Sequence, residues 1–179
     1  MATTITDLDF RALWDMALDY PSFVATSGTH KAMWEGVYRL ARMPDWALDA
    51  VRPFAGRRHL LVIAEDWCGD AINTIPILAR LSDLSGHFDL KILHRDEHPA
   101  LMDAYLTDGS RSIPVVIVLD ESFEEVGHWG PRPAVLQDWV IANRAMPKDQ
   151  RYPQVRRWYA RDKGETTLRE VLDVVSRTP

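Results

Sequence analysis

The chain has 179 residues and a mass of 20.5 kDa, a length that suits one domain able to bury a core without a covalent staple. Its 46% apolar and 26% charged residues are the balance of a globular protein, and its one cysteine, Cys68, excludes an intrachain disulfide framework and a multi-thiolate zinc site. A formal charge of −5 argues against a nucleic-acid partner, and apolar runs such as Leu60–Ala64 are far too short to span a bilayer.

In chain order, Met1–Asp9 carries acids and no basic residue. It resembles neither a signal nor a transit peptide, so a cytoplasmic protein with no membrane partner is expected. Three apolar stripes at helical spacing follow. Leu13, Trp14, Ala17 and Leu18 run up to Pro21; Ala32, Met33, Gly36, Val37, Leu40 and Met43 form the second; Trp46, Ala47, Ala50 and Val51 stop at Pro53. These helices are expected to precede any strand, as an extension over residues 1–58, and to pack their stripes on the core.

The middle of the chain changes period. His59–Ala64 is a continuous apolar run of strand length, as expected of a strand covered on both faces. Further strands are expected at Phe88–Leu93, Pro114–Leu119 and Phe123–Trp129, the last two forming a hairpin across Asp120, Glu121 and Ser122. Helices are expected at Ala71–Leu84, at Pro99–Leu106 and at Pro133–Ala145, with Pro99 suited to a first helical position. The order β-α-β-α-β-β-α points to an α/β layer arrangement. Residues 146–179 hold two short helical candidates separated by Gly164. Residues 144–163 carry seven basic side chains against two acids, a net +5 that leaves the rest of the chain at −10. This segment reads as a solvated basic face anchored by Trp158 and Tyr159.

The residues with the most chemistry are Glu65-Asp66-Trp67-Cys68-Gly69-Asp70-Ala71. A strand ends, a tight turn carries a thiol, and a helix begins. Unpaired backbone N–H groups and the helix dipole would favour a thiolate there. Elsewhere, His94 and His98 flank Arg95-Asp96-Glu97, but Pro99 starts a helix at His98, so the two histidines do not share a face and no metal is expected. His30, His59, His87 and His128 are scattered, and no phosphate loop, dinucleotide turn or Ser-His-Asp order is present. No cofactor is expected.

Trp67-Cys68-Gly69-Asp70-Ala71 resembles the Trp-Cys-Gly-Pro-Cys active-site turn of the thioredoxin family, with Asp70 for the proline and Ala71 for the second cysteine. Pro76 matches the proline that bends the family's active-site helix. Ser112-Ile113-Pro114 matches the loop whose cis-proline faces the thiol, and Gly130 the glycine that closes the substrate groove. The resemblance covers residues 59–145. It implies a thioredoxin-like fold, a mixed sheet with helices on both faces, and makes the whole of 1–179 one domain with a second helical extension at 146–179. More narrowly, the Glu-Asp-Trp-Cys-Gly-Asp turn and the Arg111-Ser-Ile-Pro114 loop resemble a bacterial group of thioredoxin-family proteins, whose substrate the resemblance does not supply.

The departures define the functional expectation. A dithiol reductase resolves its mixed disulfide with a second thiol, and Ala71 has none. The buried acid that many thioredoxins carry six residues before the first cysteine is Val62 here. Asp70 favours the first helical turn but competes with a thiolate for its N–H groups and repels it, and Glu65 and Asp66 add to that field. The expected activity is therefore one-thiol exchange. Cys68 would react with a disulfide-containing protein or a small thiol such as glutathione, presented by a groove of Trp67, Gly69, Asp70, Ser112, Ile113, Pro114 and Gly130, and an external thiol would complete turnover. The alternatives are a non-catalytic binding module with the same groove, and a peroxide sensor that passes through sulfenic acid.

Overall fold

The structure, a computed structural model, describes residues 8–54 and 56–177. Five strands are present among the described residues: β1 (Leu18–Asp19), β2 (Arg58–Ala64), β3 (Phe88–His94), β4 (Val115–Leu119) and β5 (Glu125–Trp129). They form one mixed sheet in the order β1-β3-β2-β4-β5, with β2 and β3 parallel and the other pairs antiparallel. Leu60, Leu61, Val62, Ile63 and Ala64 are all fully buried, residues of both parities, so β2 is covered on both faces. The unbroken apolar run of β2 thus reports its central place.

Nine helices are seen among the described residues. Before β2 lie α1 (Phe10–Met16), α2 (Tyr20–Thr26), α3 (Lys31–Leu40) and α4 (Asp45–Val51). The parallel connection from β2 to β3 is α5 (Gly69–Ser85), which ends at Gly86 in a left-handed conformation, φ +69°. A 3-10 turn at Arg95–Glu97 and the short α6 (Pro99–Asp103) follow β3. After β5 come α7 (Ala134–Ala142), α8 (Lys148–Asp162) and α9 (Glu165–Val175). Helix α5 packs on β3 and is covered by α3, while α9 packs on β5 and meets α4 and α5. The buried cluster runs without a break from Phe10, Trp14 and Trp34 through β2 and β4 to Leu168 and Val171.

The first third departs from the sequence reading in three ways. The first helix ends at Met16, and Leu18–Asp19 forms an edge strand antiparallel to β3, with Leu18 opposite Ile92. Pro21 ends no helix. It stands in the first turn of α2, which Asp19 caps by accepting a hydrogen bond from the Ser22 N–H at 2.8 Å. In α3 the buried face is shifted: Met33 is 50% and Leu40 73% exposed, while Trp34 is fully buried and, of the expected stripe, Val37 and Met43 pack against the core. Trp34 packs edge-on against Phe23, ring centroids 5.1 Å apart, and its indole N–H donates to the Asp66 carbonyl at 2.9 Å. One polar tip that reaches a partner makes the large ring the better residue to bury.

Elsewhere the differences are of extent. Helix α6 stops at Asp103, short of Leu106; the final strand starts at Glu125; and α8, at 15 residues, is no short helix. Trp34→Ala should lower stability by about 3–5 kcal/mol, the cost of an emptied aromatic site, whereas Met33→Ala should change it by about 0.5 kcal/mol or less, as an exposed position does. Urea denaturation of both variants checks the register of α3.

Candidate functional site

Cys68 is the N-cap of α5, with φ −77° and ψ 114°. Its backbone N–H donates to the Glu65 carbonyl at 3.1 Å, which closes the turn, and its carbonyl accepts the Ile72 N–H at 2.9 Å, which opens the helix. The turn does not present the sulfur to solvent. Cys68 is 7% exposed, and its Sγ lies 3.4 Å from the Ile113 carbonyl, in position to donate to it. The Ile113–Pro114 peptide is cis, with Ile113 and Pro114 both buried. Gly130, φ +126°, lies so close beneath this loop that a Cβ there would meet the Pro114 carbonyl oxygen at 2.2 Å.

Cys68, Ile113, Pro114 and Gly130 are therefore brought together. Trp67 and Gly69 stand exposed at the rim, and Ala71, fully buried, lies under it. Trp67 is faced by the Arg95 guanidinium, 5.1 Å from its ring centroid. Arg95 also donates from Nε to Asp96 at 2.8 Å and from Nη1 to the Arg111 carbonyl at 3.3 Å, so the loop after β3 spans both halves of the rim. Arg111 itself is held in a two-pronged pair with Asp103, 2.7 and 2.8 Å. Ser112 is half-buried, its N–H donating to the Ser110 carbonyl at 2.8 Å.

The three acids of the turn have separate fates. Glu65, 8% exposed, accepts the Asp96 N–H at 2.9 Å and faces His94 Nδ1 at 3.3 Å, tying the end of β2 to the exit of β3. Asp66 accepts the Gly28 N–H at 3.2 Å and, through its carbonyl, the Trp34 indole. Asp70 does not compete for the N–H groups of α5 as the sequence suggested. Its carboxylate is taken by the Arg132 guanidinium and by the Tyr159 hydroxyl, which donates at 2.7 Å. Arg132 reaches Gln137 as well, at 2.6 Å, while its Nε has no partner.

These surroundings set the thiol. Burial pushes the Cys68 thiol up to about 11, helped by the negative charge of Asp70; the N–H groups of Ala71 and Asp70 and the charge of Arg132 pull the other way and lose. Glu65 and Asp66, turned to other partners, are not among the causes. The expected thiolate-promoting position is thus outweighed by desolvation. Arg132, Tyr159, Trp34 and Gly28 were not singled out for the site by sequence. Tyr159 drew notice only as an aromatic in a basic segment, and nothing in its neighbourhood signals a partner 89 residues away.

A thiol turn between a central strand and a long helix, facing a proline loop across the antiparallel hairpin, is the arrangement of a thioredoxin-like protein. The chain matches the family described as Thioredoxin over residues 17–151, most of its length, and belongs to that family. Two solved structures are similar in fold. One is a protein of unknown function from Pseudomonas aeruginosa, 20% identical, TM-score 0.74, the match covering 94% of this chain and 97% of that one. The other is an HIV epitope-scaffold, 20% identical, TM-score 0.76, with 94% and 98% covered. No curated protein matches the chain. Among the described residues no helix is long and apolar enough to cross a membrane.

The raised thiol has a consequence for stability. The folded chain keeps a proton that the unfolded chain releases near its ordinary value of 9, so stability falls as pH rises from about 9 to about 11. The slope from this group is at most about 1.4 kcal/mol per pH unit. Urea midpoints across that window should fall less steeply in Cys68→Ala than in the wild type, and parallel curves would show that the thiol is not shifted.

Proposed function

We propose that this member of the thioredoxin family is a binding protein. Its groove, formed by Trp67, Gly69, Asp70, Ser112, Ile113, Pro114 and Gly130, receives an extended segment of a partner protein, and Cys68 rests beside it as a protonated, unreactive thiol. The observation that carries this reading is the sulfur itself: 7% exposed and engaged with the Ile113 carbonyl at 3.4 Å, a hydrogen bond that only the protonated form can donate. The absence of a resolving thiol at Ala71 supports it. A cleft of about 620 Å³ bordered by Gly130, Arg132, Gln137, Trp129 and Glu170 adjoins the groove and extends the surface a partner would use. The unbroken core supports treating 1–179 as one domain.

A second reading is one-thiol exchange, favoured by the backbone N–H groups of Asp70 and Ala71 that face the sulfur. In it the Cys68 thiolate attacks a disulfide of a protein, or of oxidised glutathione, forming a mixed disulfide and releasing one thiolate. An external thiol then attacks that mixed disulfide, returning the Cys68 thiolate and leaving with the other half.

The rate of Cys68 alkylation against pH separates the two. The binding reading expects a rate at pH 7.5 at least about a hundredfold below that of free cysteine, from the thiolate fraction alone, and a climb with no plateau below pH 10. A plateau at or below pH 8 favours exchange. Under exchange, Ala71→Cys restores a resolving thiol on the same helical turn and gains dithiol reductase activity with thioredoxin reductase. Under the binding reading it stays inactive.

A further inference from the structure

Helix α8, which precedes the last helix α9, touches the body of the protein in an unusual way. Of its fifteen residues only Tyr159 is buried, 4% exposed, and the hydroxyl at its tip is spent on Asp70, two residues from Cys68. Pro153, inside the helix, removes one backbone hydrogen bond from its first half. Its far end is a left-handed residue, Lys163, φ 55°, followed by Gly164, φ +85°. Helix α8 is therefore a polar, internally weakened helix, attached to the thiol turn chiefly through one side chain. Elements with so few buried apolar contacts open at much lower free energy than the core.

We propose that α8 is a clamp on the thiol turn, with Tyr159 as the positioning residue that acts on Cys68 through Asp70. With the clamp closed, Tyr159 and Arg132 share the Asp70 carboxylate, the first turn of α5 is fixed, and the sulfur is shut against Ile113. When Tyr159 leaves, one Asp70 oxygen loses its partner, the turn loosens, and the Cys68 thiolate can attack a partner's disulfide, forming a mixed disulfide and releasing the partner's second sulfur as a thiolate. The protein then has a closed state without thiol chemistry and an open state that permits it. The clamp rests on the shielded-thiol reading above and adds the element that does the shielding.

The geometry makes the direction of the test informative. The charged and titratable groups bearing on the sulfur are Asp70 and Arg132, with Tyr159 beside them. If Tyr159 acted by electrostatics alone, Tyr159→Phe would leave the Asp70 charge less satisfied, holding the proton on Cys68 more tightly and slowing alkylation. If it acts as a clamp, Tyr159→Phe keeps the ring but cuts the tether, water reaches the sulfur, and alkylation speeds up.

The experiment is iodoacetamide alkylation of Cys68 from pH 7 to 11 in the full chain, for wild type, Tyr159→Phe and Arg156→Ala, an exposed position on the same helix. The clamp predicts a rate at pH 8 about tenfold or more above wild type for Tyr159→Phe, with its pH midpoint lower by about one unit, and no change for Arg156→Ala. An unchanged or slower Tyr159→Phe overturns it, as does equal acceleration in both variants. Should Tyr159→Phe fold poorly, the wild type decides. Alkylation and amide exchange of α8 should show the same shallow urea dependence, and alkylation that waits for global unfolding while α8 opens early overturns the clamp. The absolute wild-type rate tests the shielded-thiol reading, and the variant-to-wild-type ratio tests the clamp, so either can fail without the other.

Discussion

The carboxylate of Asp70, held between a guanidinium and a phenol, is the interaction on which the site depends. Its side chain is 13% and that of Arg132 19% exposed, so two charges have been taken largely out of water. Desolvation of that kind is costly, and attraction offsets it only where geometry is good and the remaining lone pairs are filled. Tyr159 fills the second oxygen. With both partners present the first turn of α5 has one arrangement. Asp66, on the other side of Cys68, is held in parallel fashion by Gly28 and Trp34. The thiol turn is thus anchored from the N-terminal helices on one flank and from the C-terminal helices on the other, although the turn itself belongs to the central β-α unit.

That double anchoring explains why a position suited to a thiolate holds a thiol. A helix N-terminus is worth about 0.3–1 kcal/mol to a nearby anion, up to about 2 in favourable geometry. Full burial moves a titrating group by up to about 3–5 pH units, and each unit is worth about 1.36 kcal/mol. Burial is the larger effect, Asp70 adds to it, and the balance comes out at a thiol pushed up to about 11. The family fold supplies the dipole, while the extensions around it decide whether the dipole prevails.

How much was legible depends on the range of the interaction. The strands expected at 59–64, 88–93 and 114–119 announced themselves through apolar runs bounded by turn residues, and the helix expected at 71–84 is α5, which runs a residue or two further at each end. The edge strand at Leu18–Asp19 did not, because two residues carry no period and their pairing exists only through β3. The face of α3 was misread in part, since Val37 does pack inward, and for a related reason. Met33, Gly36 and Leu40 make as good a stripe as Trp34 and its neighbours, and only the Phe23 ring and the Asp66 carbonyl select the face that turns inward. Asp19 and Pro21 did carry a readable start signal for α2, an acidic cap followed by proline in the first turn.

The resemblance to the thioredoxin family implied the loop and glycine near the sulfur, whereas the sequence by itself determined the α/β class, the central strand, the placement of Cys68 at a helix start and the lack of a second thiol. Each is a local property: a run, a turn chemistry, a spacing. Tertiary structure alone decided the state of that thiol, because it depends on what lies over the sulfur and which charges reach it. Arg132 and Tyr159 come to Asp70 across 62 and 89 residues of chain. No pattern within a window of the sequence encodes such a contact, since the energy that selects it, desolvation against attraction, arises only once the helices have packed.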